Sequence, residues 1–307
     1  MKKIYLLAIV LFSVALLILF VLYNRYASSY AEEGTYRYIS RNIDILNENL
    51  DFERRYALSL SLFISKNGRI RQALQENNQS MAIGEMAHFL AEIKEATGIS
   101  NIDIQVHTKA LKAFARSWES GHYFGTALGG FRKGLVRVRE RLEPFVSIEL
   151  GKRLNIKAIS PILDKAGHYI GSIEVIMGFA NIKKRLRAFD LDILGLLDKT
   201  YLDIAVDLRS HASVGQYVVV EKHYPQDLYR ILKSHPEMLS EKRAYFSVGE
   251  RIIVLIPMLS VGIEDVGMIA LSMQASHDAI PQDRSGQIAV QNRTYQFNNK
   301  AREVTIK

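Results

Sequence analysis

The chain has 307 residues, of which 48% are hydrophobic, and it contains no cysteine. The lack of cysteine excludes disulfide bonds, thiolate metal sites and a cysteine nucleophile. The formal net charge is +8, but Lys and Arg are scattered among acidic residues, which argues against a nucleic-acid-binding surface.

The first element is an uncharged apolar run from Ile4 to Tyr23. A helix of that length, rising about 1.5 Å per residue, spans the roughly 30 Å hydrocarbon core of a bilayer. Lys2 and Lys3 precede the run, so the positive-inside rule puts residues 1–3 in the cytoplasm. The alternative is a cleaved signal peptide, although the apolar region of such a peptide usually has about 7–15 residues. The sequence therefore predicts a transmembrane helix over residues 4–23 and an extracytoplasmic remainder.

A long stalk helix is predicted next, over residues 24–66, with a second helix over 78–96. Apolar residues recur at helical spacing along the first helix and form one stripe: Ile39, Ile43, Leu46, Leu50, Tyr56, Leu60 and Phe63. This stripe needs a partner, which is either the domain behind it or a second copy of the helix.

Strand patterns begin where apolar and polar residues alternate from Ile102 to His107, and residues 114–118 are predicted to continue a hairpin. Residues 126–142 return to helical spacing. Three apolar segments then follow Pro144, namely FVSIEL, LNIKAISPIL and YIGSIEVIMGF, with a Gly-containing turn before the last. They predict an antiparallel meander. Residues 179–200 are predicted to be helical.

The second half repeats this plan. Strands are predicted at residues 202–208 and 216–222, a short helix at 225–235, and another three-strand meander between 244 and 274. In both halves a strand with a proline near its end, Pro161 or Pro257, precedes a strand of the form x-G-x-I, which predicts two copies of one sheet-forming unit. Residues 276–307 are polar and aperiodic, and they contain no recognisable second membrane span or output domain.

The passage from His107 to Phe179, with its motifs AFARSWES, FRKGLV, SIELGKRLNIKAISPI and YIGSIEVIMGF, resembles the double Cache sensor family. The resemblance also rests on the anchor and the stalk helix, and residues 35–275 fit the family pattern. It implies an α+β fold with an N-terminal transmembrane helix, a long stalk helix and two antiparallel-sheet, PAS-like modules, and dimerisation through the stalk. The resulting division is a cytoplasmic tip (1–3), an anchor (4–23), a helical region (24–96), a membrane-distal module with the ligand pocket (97–190), a membrane-proximal module (191–276) and a polar tail (277–307).

A basic and aromatic set in the distal module is predicted to bind the ligand. Guanidinium groups bind carboxylates or phosphates bidentately, and aromatic side chains supply an apolar or cation-binding wall. Glu149 either receives an amino group or forms an ion pair with an arginine, for which Arg153 is the candidate, and Arg132 alternatively lies on a solvated helix face. The predicted ligand contacts are Arg116, Trp118, Tyr123, Arg132, Glu149 and Arg153. His107 is predicted to be a hydrogen-bonded structural residue.

The sequence therefore predicts an extracytoplasmic small-molecule sensor region of a signal-transduction protein, of the chemotaxis, two-component or cyclic-dinucleotide type. No motif for catalysis, metal ligation or cofactor binding is found, so we expect neither enzymatic activity nor a cofactor. The expected location is the bacterial inner membrane, single-pass, with the bulk in the periplasm. The expected partners are a carboxylate- or phosphate-bearing ligand, the membrane, a second copy of the chain and a separate signalling protein, but not nucleic acid. The alternative is a membrane-anchored accessory protein that keeps the sensor fold without a ligand or an output domain.

Overall fold

The computed structural model describes residues 2–119, 125–241, 243–261 and 263–275. Its longest element is helix α1 (Lys2–Ser65), whose 64 residues extend over about 95 Å at 1.5 Å per residue. The helix includes the predicted stalk, and the chain turns just before Gly68.

Two shorter helices follow α1, and asparagines begin both. The side chain of Asn67 accepts a hydrogen bond from the amide of Ile70 (2.9 Å) at the start of α2 (Gly68–Gln75), and Asn78 begins α3 (Gln79–Thr97) in the same way. The α3 helix was predicted from its apolar spacing, whereas α2 was not.

The apolar stripe of α1 packs against the chain's own domain. Ile39, Ile43, Leu46 and Leu50 are buried in a core that also contains residues of both sheets. Phe63, predicted to extend the stripe, is instead 68% exposed. Of the two predicted partners, the domain behind the helix is therefore the one that covers most of the stripe.

The distal sheet has five antiparallel strands in the order β2-β1-β5-β4-β3. The strands are β1 (Ile102–Thr108), β2 (Ala113–Arg116), β3 (Phe145–Glu149), β4 (Asn155–Leu163) and β5 (Tyr169–Met177). The hairpin β1–β2 and the meander β3–β4–β5 confirm the predictions from alternation and turn residues. Helix α4 (Lys133–Arg141) packs on the sheet and is shorter than the predicted 126–142.

The prediction of a helix over residues 179–200 is wrong beyond its first turns. Helix α5 (Ala180–Leu186) and a 3₁₀ turn (Arg187–Phe189) are followed by strand β6 (Asp192–Asp198). Leucines and isoleucines of β6 enter two different cores, one on each face of the strand. A strand buried on both faces shows no alternation, so its apolar run alone does not distinguish it from a helix.

The predicted strand at residues 202–208 is also wrong. This segment contains a 3₁₀ turn (Val206–Leu208), and its alternating side chains Ile204 and Val206 are exposed. The buried residues are Ala205 and Leu208, whose backbones are joined by a hydrogen bond of 3.0 Å. Their spacing of three suits a helical turn rather than a strand.

The proximal sheet has six strands in the order β7-β8-β6-β11-β10-β9. Besides β6, its strands are β7 (Ser213–Val214), β8 (Tyr217–Val219), β9 (Phe246–Val248), β10 (Arg251–Ser260) and β11 (Ile263–Gln274), and helix α6 (Gln226–Ser234) follows β8. The predicted second meander and short helix are confirmed.

The two sheets share the register that the repeated sequence pattern predicted. Pro161 pairs with the residue after Gly171, and Pro257 pairs with the residue after Gly267. A side chain on Gly171 would overlap the carbonyl oxygen of His107 in β1, and one on Gly267 would overlap that of Leu196 in β6. Both glycines thus allow close approach of a neighbouring strand, which supports two copies of one unit.

Helix α5, which connects the sheets, is fixed to α1 by a buried carboxylate. Glu53 of α1 is 1% exposed, forms an ion pair with Arg185 (2.7 Å) and accepts a hydrogen bond from Asn181 (2.9 Å). The guanidinium of Arg185 also lies 4.8 Å from the ring centre of Phe52. The connection between the sheets is therefore held to the long helix by charge as well as by apolar packing.

The predicted transmembrane segment, residues 4–23, lies in the first part of α1. Among the residues that the structure describes, no helix combines the length and the apolar character required to cross a membrane. The predicted polar tail at 277–307 lies outside the described residues.

Candidate functional site: a buried polar face of the distal sheet

The two faces of the distal sheet differ in chemistry because side chains alternate along each strand. Residues such as Ile104, Ala158 and Val175 face α1 and belong to the main core. Their neighbours point to the other face, on which α4 packs. This second face carries buried polar side chains: Gln105 and His107 of β1, Glu149 of β3, Lys157 of β4 and Glu174 of β5.

Arg132 joins two carboxylates of this face. It is the residue directly before α4, and its guanidinium is 3.2 Å from Glu149 Oε1 and also forms an ion pair with Glu174. The amide of Gly134 donates a further hydrogen bond to Glu149 Oε1 (3.2 Å). Although burial opposes the charged form, Glu149 and Glu174 raise the pKa of Arg132 above its ordinary value. Arg132 is thus buried and doubly paired, and the alternative of a solvated helix face is wrong.

His107 completes one side of this network. Its Nδ1 forms a hydrogen bond with Ser172 Oγ (3.2 Å), and its Nε2 lies 3.6 Å from Glu174 Oε2. Burial lowers the pKa of His107 to about 4, more than Glu174 raises it. Burial alone would raise the pKa of Glu174, but Arg132 and then Lys157 outweigh it and hold that pKa below its usual range. The prediction of a hydrogen-bonded histidine is confirmed.

Arg116 and Trp118 lie where β2 ends. The Arg116 side chain is buried, donates a hydrogen bond to Glu119 Oε2 (2.8 Å) and lies 5.7 Å from the centre of the Trp118 ring. Arg116 pairs with Gln105 in register, which places it on the row of residues that contains Glu174. Trp118 is 38% exposed and so stands at the edge of the polar face. Tyr123, the other predicted aromatic contact, lies outside the described residues.

Arg153 lies away from Glu149. Its guanidinium is 2.9 Å from Asp103 Oδ2 and 3.9 Å from Asp207 Oδ2, and its side chain is 43% exposed. An ion pair between Glu149 and Arg153 was one sequence alternative, and it is wrong because Glu149 pairs with Arg132. Arg153 therefore marks the border of the polar face, next to the proximal module.

Two charged residues of this face were missed in the sequence. Lys157 and Glu174 each stand alone among apolar residues, in the strand sequences NIKAISPIL and YIGSIEVIM. Burial, and then Arg132, lower the pKa of Lys157 to about 8. A single charge inside an otherwise apolar strand is the signal that could have identified both, because such a charge is rarely buried without a specific role.

The buried polar face contains polar atoms that the described residues leave unsatisfied. Gln105 Nε2, Ser147 Oγ and Glu149 Oε2 have no hydrogen-bond partner among those residues. Within the described part of the chain, no group of three or more His, Asp or Glu side chains is placed to hold a metal ion. Buried polar atoms of this kind cost folding free energy unless another molecule satisfies them.

Several solved structures resemble this chain at low sequence identity. The sensor domain of the V. cholerae histidine kinase DctB is 14% identical, with 79% of this chain and 98% of that chain covered and a TM-score of 0.48. The periplasmic domain of V. cholerae LuxQ is 11% identical, with 77% and 99% covered and a TM-score of 0.43. The ligand-binding domain of the Pseudomonas fluorescens chemoreceptor CtaA, in complex with L-leucine, is 13% identical, with 80% and 97% covered and a TM-score of 0.43. The comparison with curated proteins gave no match.

The family assignment comes from a family model. The model described as the double sensory domain of two-component sensor kinases, dCache_3, matches residues 37–204, which is more than half of the chain. These residues include most of the stalk, the whole distal sheet, α5 and β6. The chain therefore belongs to the double Cache sensory domain family, as the sequence motifs predicted.

Proposed function

We propose that this chain is the extracytoplasmic sensor region of a bacterial membrane signalling protein, of the chemotaxis, two-component or cyclic-dinucleotide type, and that a small molecule binds on the polar face of the distal sheet. The observation that carries the proposal is the contrast between the two sheets. The face of the proximal sheet that meets α6 is apolar, with Leu194, Leu196 and Ile253 in its core. The corresponding distal face instead holds buried charges with shifted pKa values, which concentrate at functional sites.

The proposed ligand carries a carboxylate or a phosphate. We propose two ligand contacts at the edge of the face, Arg116 and Trp118, and two at its centre, Arg132 and Glu149. Arg153 is proposed at the border, where Asp103 orients its guanidinium. Tyr123 is the remaining proposed contact. Arginine and tryptophan together suit a small anion with an apolar part, since one supplies paired hydrogen bonds and the other an apolar surface.

We propose further that residues 4–23 anchor the chain in the inner membrane as a single span, with the bulk in the periplasm. The run is uncharged and follows Lys2 and Lys3. Large apolar side chains between Leu11 and Leu22 are exposed on α1, as a lipid-facing helix requires. Because α1 continues into the stalk, a change at the sheets can shift the helix along its length.

A second copy of the chain is the proposed partner of the stalk. The stripe through Leu46 is already buried, so pairing would use another side of α1. Phe52 and Phe63 are exposed there, and their separation of eleven positions places them on one face of a helix. A homodimer would cover these two rings.

One observation favours a second candidate function. The charge of Arg132 is already matched by Glu149 and Glu174 within the chain, so the face is partly satisfied without a ligand. A membrane-anchored accessory protein that kept the sensor fold, without ligand binding or an output domain, would show the same internal pairing. Such a protein would act through a separate signalling partner.

Calorimetric titration of the full chain against small carboxylates, phosphate esters and amino acids separates the two functions. A sensor binds at least one compound, and Arg116→Ala and Trp118→Ala each weaken that affinity by about tenfold or more, which is about 1.4 kcal/mol. Arg230→Ala, at an exposed position of α6, is the matched control and leaves the affinity unchanged. If no compound binds, and crosslinking in membranes recovers a kinase or receptor, the accessory function replaces the sensor.

A further inference from the structure

We propose that Lys157 supplies the positive charge that binds the ligand's anionic group, and that this group is a single carboxylate. The inference rests on the proposed function, because it names the ligand class of the same face. It also changes the assignment of roles, because Arg132 then becomes a structural residue that holds two glutamates in place. The sequence pattern predicted arginines as the ligand's partners and did not select Lys157.

Lys157 occupies a central position on the polar face. Its strand, β4, lies between β3 and β5, and Lys157 pairs in register with Ser147 and Ile176. The side chain is 3% exposed. Its ammonium lies against the turn between β3 and β4, because a Cβ placed on Gly151 would be 2.5 Å from Nζ. A glycine at this position therefore leaves room for the amine.

The charge of Lys157 is available, whereas the nearby arginines are engaged. Among the described residues, no hydrogen bond or ion pair reaches Lys157 Nζ. The nearby arginines all have carboxylate partners: Arg132 with Glu149 and Glu174, Arg116 with Glu119, and Arg153 with Asp103. A buried ammonium without a direct counterion is costly, and a ligand carboxylate would remove that cost.

The charges of the face favour a ligand with a single carboxylate. Arg132 pairs directly with both Glu149 and Glu174, burial lowers the pKa of His107 to about 4, and Lys157 is left without a direct carboxylate partner among the described residues. A dicarboxylate or a phosphate dianion would put a second negative charge beside two buried glutamates, with no further cation to match it. Like charges that share a buried site disfavour each other strongly. Ser147 Oγ, which is buried next to Lys157 and lacks a hydrogen-bond partner among the described residues, can donate to the bound carboxylate.

The state of Lys157 makes this binding dependent on pH. The charged and titratable groups that face it are Arg132 before α4, Glu149 in β3, Glu174 in β5, His107 in β1 and Arg153 in the β3–β4 turn. Burial and Arg132 lower the pKa of Lys157 to about 8, so at pH 9 most of the unliganded protein has a neutral amine. The affinity for a carboxylate should therefore fall about tenfold between pH 7 and pH 9.

Calorimetry with matched pairs of probes tests the proposal. The full chain is titrated with carboxylic, hydroxy and amino acids of two to six carbons, each compared with its primary amide, and with succinate and inorganic phosphate. We expect an acid to bind at least tenfold more tightly than its amide and than the two multivalent anions. Lys157→Met should abolish the preference for acid over amide, while Lys165→Met, in the exposed β4–β5 turn, should keep it. The thermal midpoint of Lys157→Met is measured alongside, so that affinities are compared only for folded protein.

The outcomes separate this inference from the proposed function. A compound that binds with the same acid-to-amide ratio to the unmodified chain and to Lys157→Met overturns the role of Lys157 and leaves the sensor intact. Tighter binding of succinate or phosphate than of every monocarboxylate overturns the single-carboxylate class. Lys157→Gln gives an independent test of the side chain, because a folded amide variant that keeps the acid preference contradicts the need for charge. No binding of any probe overturns both proposals.

Discussion

Arg132, Glu149 and Glu174 come from a helix start and two strands, and their buried side chains meet on one face of the distal sheet. A guanidinium between two carboxylates satisfies charges that would each be costly alone. His107 lies beside the same Glu174 without taking a proton, because burial outweighs the attraction of the carboxylate. The polar face therefore combines a paired centre with a neutral histidine, and its stability depends on pH.

His107 should make the folded state sensitive to mild acid. Its pKa falls from 6.5 to about 4 on folding, so between these values the unfolded chain binds the proton and the folded chain does not. The free energy of unfolding should thus fall as pH falls, by about 2 kcal/mol between pH 7 and pH 5. Guanidinium unfolding followed by Trp118 fluorescence measures this loss.

The control for this prediction is His107→Gln, which keeps a hydrogen-bonding side chain near Ser172 and cannot titrate. Its loss of stability between pH 7 and pH 5 should be smaller than that of the unmodified chain by about the same 2 kcal/mol. Equal losses in the two proteins would show that exposed groups, and not His107, cause the pH dependence. His235→Gln serves as the exposed histidine comparison.

At the scale of elements, the glycines of β5 and β11 hold equivalent positions in two sheets. Gly171→Ala and Gly267→Ala should each lower the free energy of unfolding by about 1–3 kcal/mol, because the new methyl group overlaps a carbonyl oxygen of the adjacent strand. Chemical denaturation of the purified full chain gives the values. The matched control is Gly84→Ala, exposed within α3 with nothing within 4 Å, which should stabilise the chain by up to about 1 kcal/mol. If neither Gly171→Ala nor Gly267→Ala changes the free energy of unfolding, the close approach of the neighbouring strand to these glycines is contradicted.

The elements that the sequence predicts well are those with a single exposed face or a clear turn. The β3–β4–β5 meander alternates or is bounded by proline and glycine, and α3 carries capping residues at both ends. Strands β4 and β5 are buried on both faces, but proline and glycine near their ends mark them. Strand β6 is also buried on both faces and has no such boundary, so its leucines give neither a period of two nor a turn signal. Helix α2 has only eight residues, which is too short for a reliable apolar period.

Of the buried polar face, the sequence indicates Arg116, Arg132 and Glu149 as individual residues but not the contacts between them. The sequence predicts a strand over residues 114–118, but β2 ends at Arg116, and Trp118 lies just beyond it with its ring centre 5.7 Å from the Arg116 guanidinium. The partners of Arg132 are 17 and 42 positions away, and only the strand order β1-β5-β4-β3 brings them together. Long-range pairing of this kind depends on topology, which local patterns do not encode.

At the scale of the whole molecule, one core joins both modules. The cluster around Leu46 of α1 includes Val106 and Val175 of the distal sheet together with Ile193 and Val254 of the proximal sheet. Tyr38 adds a polar link, since its hydroxyl donates to the carbonyl of Gln274 at 2.9 Å. Because the core is shared, we expect the two modules to unfold in one cooperative transition and not one after the other.

Leu46→Ala tests this cooperativity because the residue is 0% exposed and belongs to the core that both sheets share. The substitution should cost about 2–5 kcal/mol and shift the whole unfolding curve. Trp118 fluorescence reports the distal module, while far-ultraviolet circular dichroism reports the backbone of both, and the two midpoints should fall by the same amount. Glu48→Ala, at an exposed position on the same helix two residues from Leu46, should leave both midpoints nearly unchanged. Two separate transitions, or a shift confined to one probe, would mean that the modules are stabilised independently and that α1 couples them only as a tether.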